Sequence, residues 1–319
     1  MLNYFEIKSD FMKFTGNDRL DLINRMSTNE VNSLAKFKGI KTILTSDKGR
    51  FVDLITLLSF GDFVFTACSY NNSKNVMSHL DKYTIMDDFK AEDMAGTHRE
   101  ILFYGDDADS YSKELFNIDV TKFSNNDFGI YSEENSDVII SRNDNLFGGF
   151  VFICASEDWE YYSAKLFNRE SKDKSGLKET SADEYEAQRI QYGIPAYGKE
   201  ITDETNPLEC GLEKYVNGAK GCYIGQEVIA RLDTYDKISK HLAGLKIDGK
   251  LPDDFKPGEI KITSDNKECG YVTSASQSDI FGNTGLGFIK TPFLDYNKEY
   301  LIKSNGGIKS RITKLPFSN

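Results

Sequence analysis

Histidine is nearly missing from this sequence: His79, His98 and His241 are the only three in 319 residues. None stands at the spacing of a metal motif, which argues against an autonomous mononuclear site built on imidazoles. Cysteine is sparse too. Cys68, Cys154, Cys210, Cys222 and Cys269 make an odd count with no CxxC pair and no zinc-like spacing, so neither a disulfide framework nor a structural metal site is expected. No apolar run approaches the ~18 residues that span a bilayer. The opening MLNYFEIKSD lacks the basic and apolar regions of a signal peptide. The expectation is a cytoplasmic protein with no membrane partner. Positive charge is in deficit: 39 Lys and Arg against 50 Asp and Glu leave a net charge of −11, which argues against a direct nucleic-acid partner, since phosphate backbones are met by a basic face. The basic residues between Lys298 and Lys314 are spread through apparent strands and read as a solvated face. A regular βαβ period and a Gly-rich phosphate loop are both absent, which argues against a doubly wound nucleotide-binding sheet.

What is present is a mixed, globular pattern. Hydrophobic residues at 39% and charged residues at 28% suit a chain long enough for two or three domains. FMKFTG reads as a strand running into a turn. NDRLDLINRM follows as a helix with Leu20, Ile23 and Met26 on one face, capped by Asn17 or Asp18. KTILTSDKGRFVDLITLLSFGDFVFTACSY divides into three apolar segments at SDKGR and FGD, the pattern of an antiparallel meander. NNSKNVMSHLDKY and EDWEYYSAKLFNRE read as helices, with REILFYG, DFGIYS, SDVIIS and GFVFICAS as strands between them. This interspersion predicts an α+β fold. Residues 171–184, SKDKSGLKETSADE, are the most linker-like stretch. From about Ser239 short strands alternate with turns such as DGK, KPGE and FGNTG, predicting a C-terminal β-barrel or sandwich. The division drawn is 1–238 and 239–319.

The stretch KGCYIGQE, residues 220–227, carries the sharpest chemical signal. Gly221 permits a turn or close approach, Gly225 can open the next segment, and GQEVIARL has the composition of a helix. Cys222 would then sit near a helix N-terminus, where backbone N–H groups and the charge of Lys220 favour thiolate over thiol. The competing reading is a buried small hydrophobe in a tight turn. Glu227 and Arg231, four apart, match a routine helix pair. Tyr185, Arg189 and Tyr192 fall at i, i+4 and i+7, which equally describes one packing face.

TGNDRLDLINRMSTNEV, TSDKGR, RIQYGIPAYGKEITDETNPLECGL and KGCYIGQEVIARL follow one another here in an order that resembles the YgfZ-type branch of the folate-binding aminomethyltransferase superfamily. The resemblance implies a three-domain ring, two α+β domains plus a C-terminal barrel, around a pocket for tetrahydrofolate or another reduced folate. It also implies a role in iron–sulfur cluster assembly or repair, with iron–sulfur proteins or assembly factors as partners and an indirect link to tRNA modification. A folate site needs aromatic faces, fixed polar groups and a cation. Tyr185, Arg189, Gln191 and Tyr197 offer that mixture, and Arg189 with Gln191 fall on the superfamily's RxE pattern. Two departures bear on chemistry: Asn75 and Gln191 stand where the aminomethyltransferases carry carboxylates, and an amide cannot take a proton. The reading is therefore an accessory protein with Cys222 as functional thiol and Lys220 beside it, not a conventional aminomethyltransferase. A folate-dependent aminomethyltransferase or demethylase is the alternative.

Overall fold

The computed structural model describes residues 1–167, 176–235, 237–304 and 306–318, and its chain divides into two discontinuous units. The first comprises residues 1–44, 52–180 and 219–224. Its elements begin with β1 (Leu2–Ile7), β2 (Ser9–Thr15), α1 (Arg19–Met26), β3 (Gly39–Thr45), β4 (Phe51–Ser59), β5 (Val64–Ser69), α2 (Ser73–Tyr83) and β6 (Lys90–Asp93). They continue with β7 (His98–Tyr104), α3 (Ala108–Phe116), β8 (Phe128–Glu133), β9 (Ser136–Arg142), β10 (Phe150–Ala155), α4 (Trp159–Phe167) and β11 (Leu177–Glu179).

These strands form a five-stranded sheet in the order β3-β4-β5-β2-β6 and a six-stranded sheet in the order β11-β1-β7-β10-β9-β8. Helices α1 and α2 bury Leu22, Ile23, Met26, Val76 and Leu80 against Met12, Phe14, Ile55, Leu57 and Val64 of the first sheet. Helices α3 and α4 bury Tyr111, Phe116, Tyr162 and Leu166 against Ile101, Phe103, Ile140, Phe150 and Phe152 of the second. Residues of both sheets share a third cluster, in which Phe11, Leu58 and Phe65 meet Phe128, Ile139 and Ile153. In the strands covered on both faces, such as β5, β9 and β10, consecutive residues are buried, which is why their sequences read as runs more than as alternations. The meander of β3 to β5 and helix α1 match the expectation. Asp18 does occupy the N-cap of α1, but its side chain makes no cap. Its carboxylate accepts from the Asp88 N–H at 2.7 Å instead.

The second unit comprises residues 45–51, 181–218 and 225–319. It holds α5 (Ala182–Tyr192), α6 (Gln226–Thr234), β12 (Lys240–Ile247), β13 (Lys261–Ser264), β14 (Lys267–Ser278), β15 (Gly282–Lys290), β16 (Glu299–Ile302) and β17 (Ile308–Thr313). The six strands close into a barrel in the order β12-β15-β14-β13-β16-β17, which removes every sheet edge. Leu245, Ile262, Val272, Ile289, Tyr300 and Ile312 fill it. Ile190 of α5 packs on Leu286 and Phe317. Two α+β sheets and a six-stranded barrel are thus the architecture, with the barrel chosen over the sandwich.

The stretch read as a linker needs correction where it is described. Residues 171–175 lie outside the described residues, but 177–179 form β11, parallel to β1. Ser181 then starts α5 with a reciprocal capping box: its hydroxyl accepts from the Glu184 N–H at 3.2 Å, and Glu184 Oε2 accepts from the Ser181 N–H at 2.9 Å. Serine, glutamate and glycine there are helix punctuation, which composition alone reads as linker.

Candidate functional site

Cys222 is exposed, whereas Cys68, Cys154, Cys210 and Cys269 are all buried. Burial pushes the Cys154 thiol up to about 12 and raises the other three. The competing reading of Cys222 as a buried packing residue is thereby removed.

The thiol is carried on a short strap held at both ends. An α-helix leaves its last carbonyls without intrahelical donors, and in α1 these are met by residues from far along the chain. The Lys220 ammonium donates to Asn24 O at 2.7 Å and Ser27 O at 2.8 Å, and also to Asn29 O. Four residues later, the Ile224 N–H donates to Arg25 O at 2.9 Å. Tyr223 is buried between these anchors, with the Lys220 ammonium 5.3 Å from its ring centroid. Gly221 and Cys222 are left exposed. Burial lowers the Lys220 pKa to about 8, against the raising effect of Glu30.

Three expectations about this stretch change. Lys220 is a buried anchor whose ammonium is committed to backbone carbonyls, so its position follows from helix capping and not from pairing with a thiolate. Helix α6 starts at Gln226, which places Cys222 outside the first turn, where the dipole acts. An added Cβ at Gly221 would meet nothing within 4 Å, so the close approach belongs to Gly225. Gly225 has φ +81°, and a Cβ there would lie 2.5 Å from Ser46 O and 2.9 Å from the Gly49 Cα. Gly49 is the glycine of TSDKGR, itself at φ +65°. The two motifs therefore cross backbone to backbone. The neighbouring Arg50 donates to Glu204 O at 2.9 Å and reaches the Glu209 carboxylate at 3.2 Å. Glu227 begins the exposed face of α6 with no ion pair to Arg231 among the described residues.

Helix α5 places the other predicted residues. Arg189 is buried, and all five of its N–H groups have acceptors. Nε and Nη2 grip Glu186 at 2.8 and 2.6 Å, Nη2 also reaches Ser274 Oγ at 2.7 Å, and Nη1 binds Glu200 at 3.0 Å and the Ile194 carbonyl. Burial disfavours the cation, but the two carboxylates more than offset it and hold its pKa above the ordinary value. Its expected role as a folate-facing cation is corrected accordingly: the guanidinium has no donor left, and it ties α5 to β14 and to the GIPAYGKE turn. Gln191 Nε2 donates to Ser278 Oγ at 2.8 Å, and its carbonyl accepts from the Phe317 N–H at 2.8 Å. Tyr185 is half-buried, and Tyr197 is 41% exposed.

The amide at Asn75 donates to Asn72 Oδ1 at 3.1 Å, and Asn72 donates to a carboxylate that sequence reading missed, Asp53, at 2.9 Å. Asp53 is fully buried. It also accepts from the Leu54 N–H, the Ser69 N–H and the Ser69 hydroxyl, which saturates it as a structural acceptor at the end of β5. Among the described residues no three His, Cys, Asp or Glu side chains are grouped to hold a metal, and no helix is long and apolar enough to cross a membrane.

Comparison with known proteins adds the following. Residues 9–220 match the family profile described as GCVT N-terminal domain, and residues 240–318 match the glycine cleavage T-protein C-terminal barrel domain. An Arabidopsis thaliana chloroplastic protein that carries the name "putative transferase" is 27% identical over 88% of this chain, which spans 63% of that relative's length. An aminomethyltransferase of Oceanobacillus iheyensis is 25% identical over 91% of this chain and 79% of its own. The crystal structure of the glycine cleavage system aminomethyltransferase T from Bartonella henselae superposes with a TM-score of 0.83 at 16% identity, covering 99% of this chain and 86% of that one. That likeness is one of fold.

Proposed function

Because the chain belongs to the glycine cleavage T-protein (GCVT) family, we propose that it is a cytoplasmic, reduced-folate-binding protein of the YgfZ type. In this reading it serves iron–sulfur cluster assembly or repair, with Cys222 as its working thiol. The observation that carries the reading is the strap: of five cysteines only Cys222 is exposed, and it stands between anchors at Lys220 and Ile224. A packing cysteine needs no such presentation. One thiolate cannot hold a cluster alone, so the thiol acts transiently on a cluster, on sulfur or on a partner thiol, with the partner supplying the remaining ligands.

For the folate, Tyr185 and Tyr197 offer aromatic faces, and Gln191 Oε1 accepts no hydrogen bond among the described residues. These three fit a pterin-bearing ligand, whereas Arg189 does not. The second reading, folate-dependent aminomethyl transfer, is favoured by the names of relatives such as the Oceanobacillus iheyensis protein. The amides at Asn75 and Gln191 weigh against it, since an amide cannot accept a proton from a reacting amine, and Asp53 is fully buried with its oxygens already engaged by four donors.

The test has two arms. Alkylation of each cysteine followed by mass spectrometry should show Cys222 reacting at least tenfold faster than Cys68 or Cys154 near neutral pH, and equal rates would remove the presented thiol. In cells lacking the protein, Cys222→Ser should fold normally yet fail to restore iron–sulfur enzyme activity. Turnover of an aminomethylated carrier protein with reduced folate would instead establish the second reading.

A further inference from the structure

The two sheets of the first unit meet along a seam that is apolar over part of its length, where Phe11, Leu58 and Phe65 face Phe128, Ile139 and Ile153. Beside that patch the seam is charged. The Lys38 ammonium donates to Asp127 at 2.6 Å, and the Lys41 ammonium pairs with Asp144. Asp127 stands just before β8 and Asp144 just after β9, so both pairs join the start of β3 to the six-stranded sheet. Glu100 of β7 is a third carboxylate at the seam. Its hydrogen-bond partner is the Ser9 hydroxyl, at the start of β2. Two ammonium groups thus meet three carboxylates, and among the described residues Glu100 has no cation in contact.

The register shows what surrounds it. Glu100 lies opposite Ile7 of β1 on one side and Ile153 of β10 on the other, and Ile153 belongs to the apolar patch. His98, two residues back on the same face of β7, packs on the rings of Phe11 and Phe65 with centroids 5.5 and 4.8 Å away. Burial holds the His98 pKa below the ordinary imidazole value. Lys41 is the charged group whose field reaches Glu100, and it is already committed to Asp144. The Glu100 Oε2 atom is sealed from solvent and has no hydrogen-bond partner, although the residue as a whole is half-buried. A sealed carboxylate oxygen without a donor is costly when charged and much less so in a neutral acid.

We propose that Glu100 is a proton-operated catch between the two sheets: with its carboxyl protonated the seam closes beside it, and ionisation, the proton passing to water, loosens the seam at β2 and β7. The inference is independent of the thiol and folate readings. Burial raises the Glu100 pKa, against the lowering influence of Ser9 and Lys41. A group raised by folding contributes stability that is complete below its unfolded value, about 4.3, and is lost as pH rises through the folded one. The catch therefore releases with rising pH, opposite in sign to a carboxylate that gains a cation on folding.

The experiment follows urea unfolding of the full chain from about pH 4.5 to about pH 8 beside Glu100→Gln, which keeps the shape of the neutral acid and cannot ionise. The unfolding equilibrium constant of the native protein should rise relative to the variant's by at least about threefold over that range. Ser9→Ala removes a group that favours the ionised form, so the native fall should move to higher pH, an arm that stands even where Glu100→Gln folds poorly. Peptide-level hydrogen exchange, corrected for its intrinsic pH dependence, locates the effect. Residues 9–15 and 98–104 should exchange faster at the upper pH in the native protein and not in Glu100→Gln, with the barrel strands unchanged in both. Parallel profiles for native protein and Glu100→Gln would overturn the catch, as would a native protein that gains on the variant as pH rises. Faster exchange spread evenly over both units would reveal a global loss and overturn the local seam. A fall that moves to lower pH in Ser9→Ala would overturn the assignment to Glu100.

Discussion

At the scale of single residues, Lys220 shows how far a side chain's role can sit from what its neighbours suggest. Two positions from a cysteine, it invites an electrostatic reading, yet its ammonium meets carbonyls of Asn24, Ser27 and Asn29. Spacing could not have shown this, because the partners are 196, 193 and 191 residues away. Replacing Lys220 by Met keeps the stem and removes the donors, leaving buried carbonyls unmet at a cost of about 3 kcal/mol. Denaturant melts should show that loss, and hydrogen exchange at the Ile224 amide should quicken. An unchanged amide would mean the strap does not depend on Lys220. The contrast between an exposed Cys222 and four buried thiols was legible, since its flanking motif set it apart from cysteines in apolar runs. The saturated guanidinium of Arg189 was not, because a helical i, i+4, i+7 pattern describes a packing face and a ligand face equally.

At the scale of elements, glycine and ion-pair networks decide how segments meet. Gly225→Ala would place a Cβ 2.5 Å from Ser46 O at φ +81°, so it should destabilise by about 2 kcal/mol or more. Gly221→Ala has open space and should stay within about 0.5 kcal/mol of the native protein. Comparing the two in urea separates a glycine required by a backbone crossing from one that sits in an open loop. The α5 network gives a pH signature. Burial would raise Glu186, but hydrogen bonds and charge from Arg189 and Lys199 outweigh it and hold the carboxyl at about 2 in place of the ordinary 4.5. A carboxylate lowered by folding stabilises fully above its unfolded value, and that stability is lost as pH falls from about 4.5 toward 2. The expected loss is about 2 kcal/mol after allowing for its partial exposure, and Glu186→Gln should abolish that part of the acid slope. Helices and strands here were read well from apolar runs and turn residues. The capping box at Ser181 was read as linker, because the same residues that punctuate helices also compose loops.

At the scale of the whole molecule, the two α+β sheets and the barrel were legible, since strand-dense turns after Ser239 and interspersed elements before it constrain the fold class. The choice between barrel and sandwich was not, because closure depends on β12 pairing with both β15 and β17, and non-local pairing leaves no local mark in sequence. Nor was the division of the chain, in which residues 45–51 and 219–224 cross from one unit's span into the other's. The strap has a consequence in time. Asn24 leaves the ribosome 196 residues ahead of Lys220, and at about 5–20 residues per second that is an interval of about ten to forty seconds. Throughout it the end of α1 waits without its acceptors' donors, open to water or to a chaperone. The cysteine emerges two residues after the lysine that closes the helix, so the nascent chain gains the thiol it will leave exposed only as the first unit gains the means to complete itself.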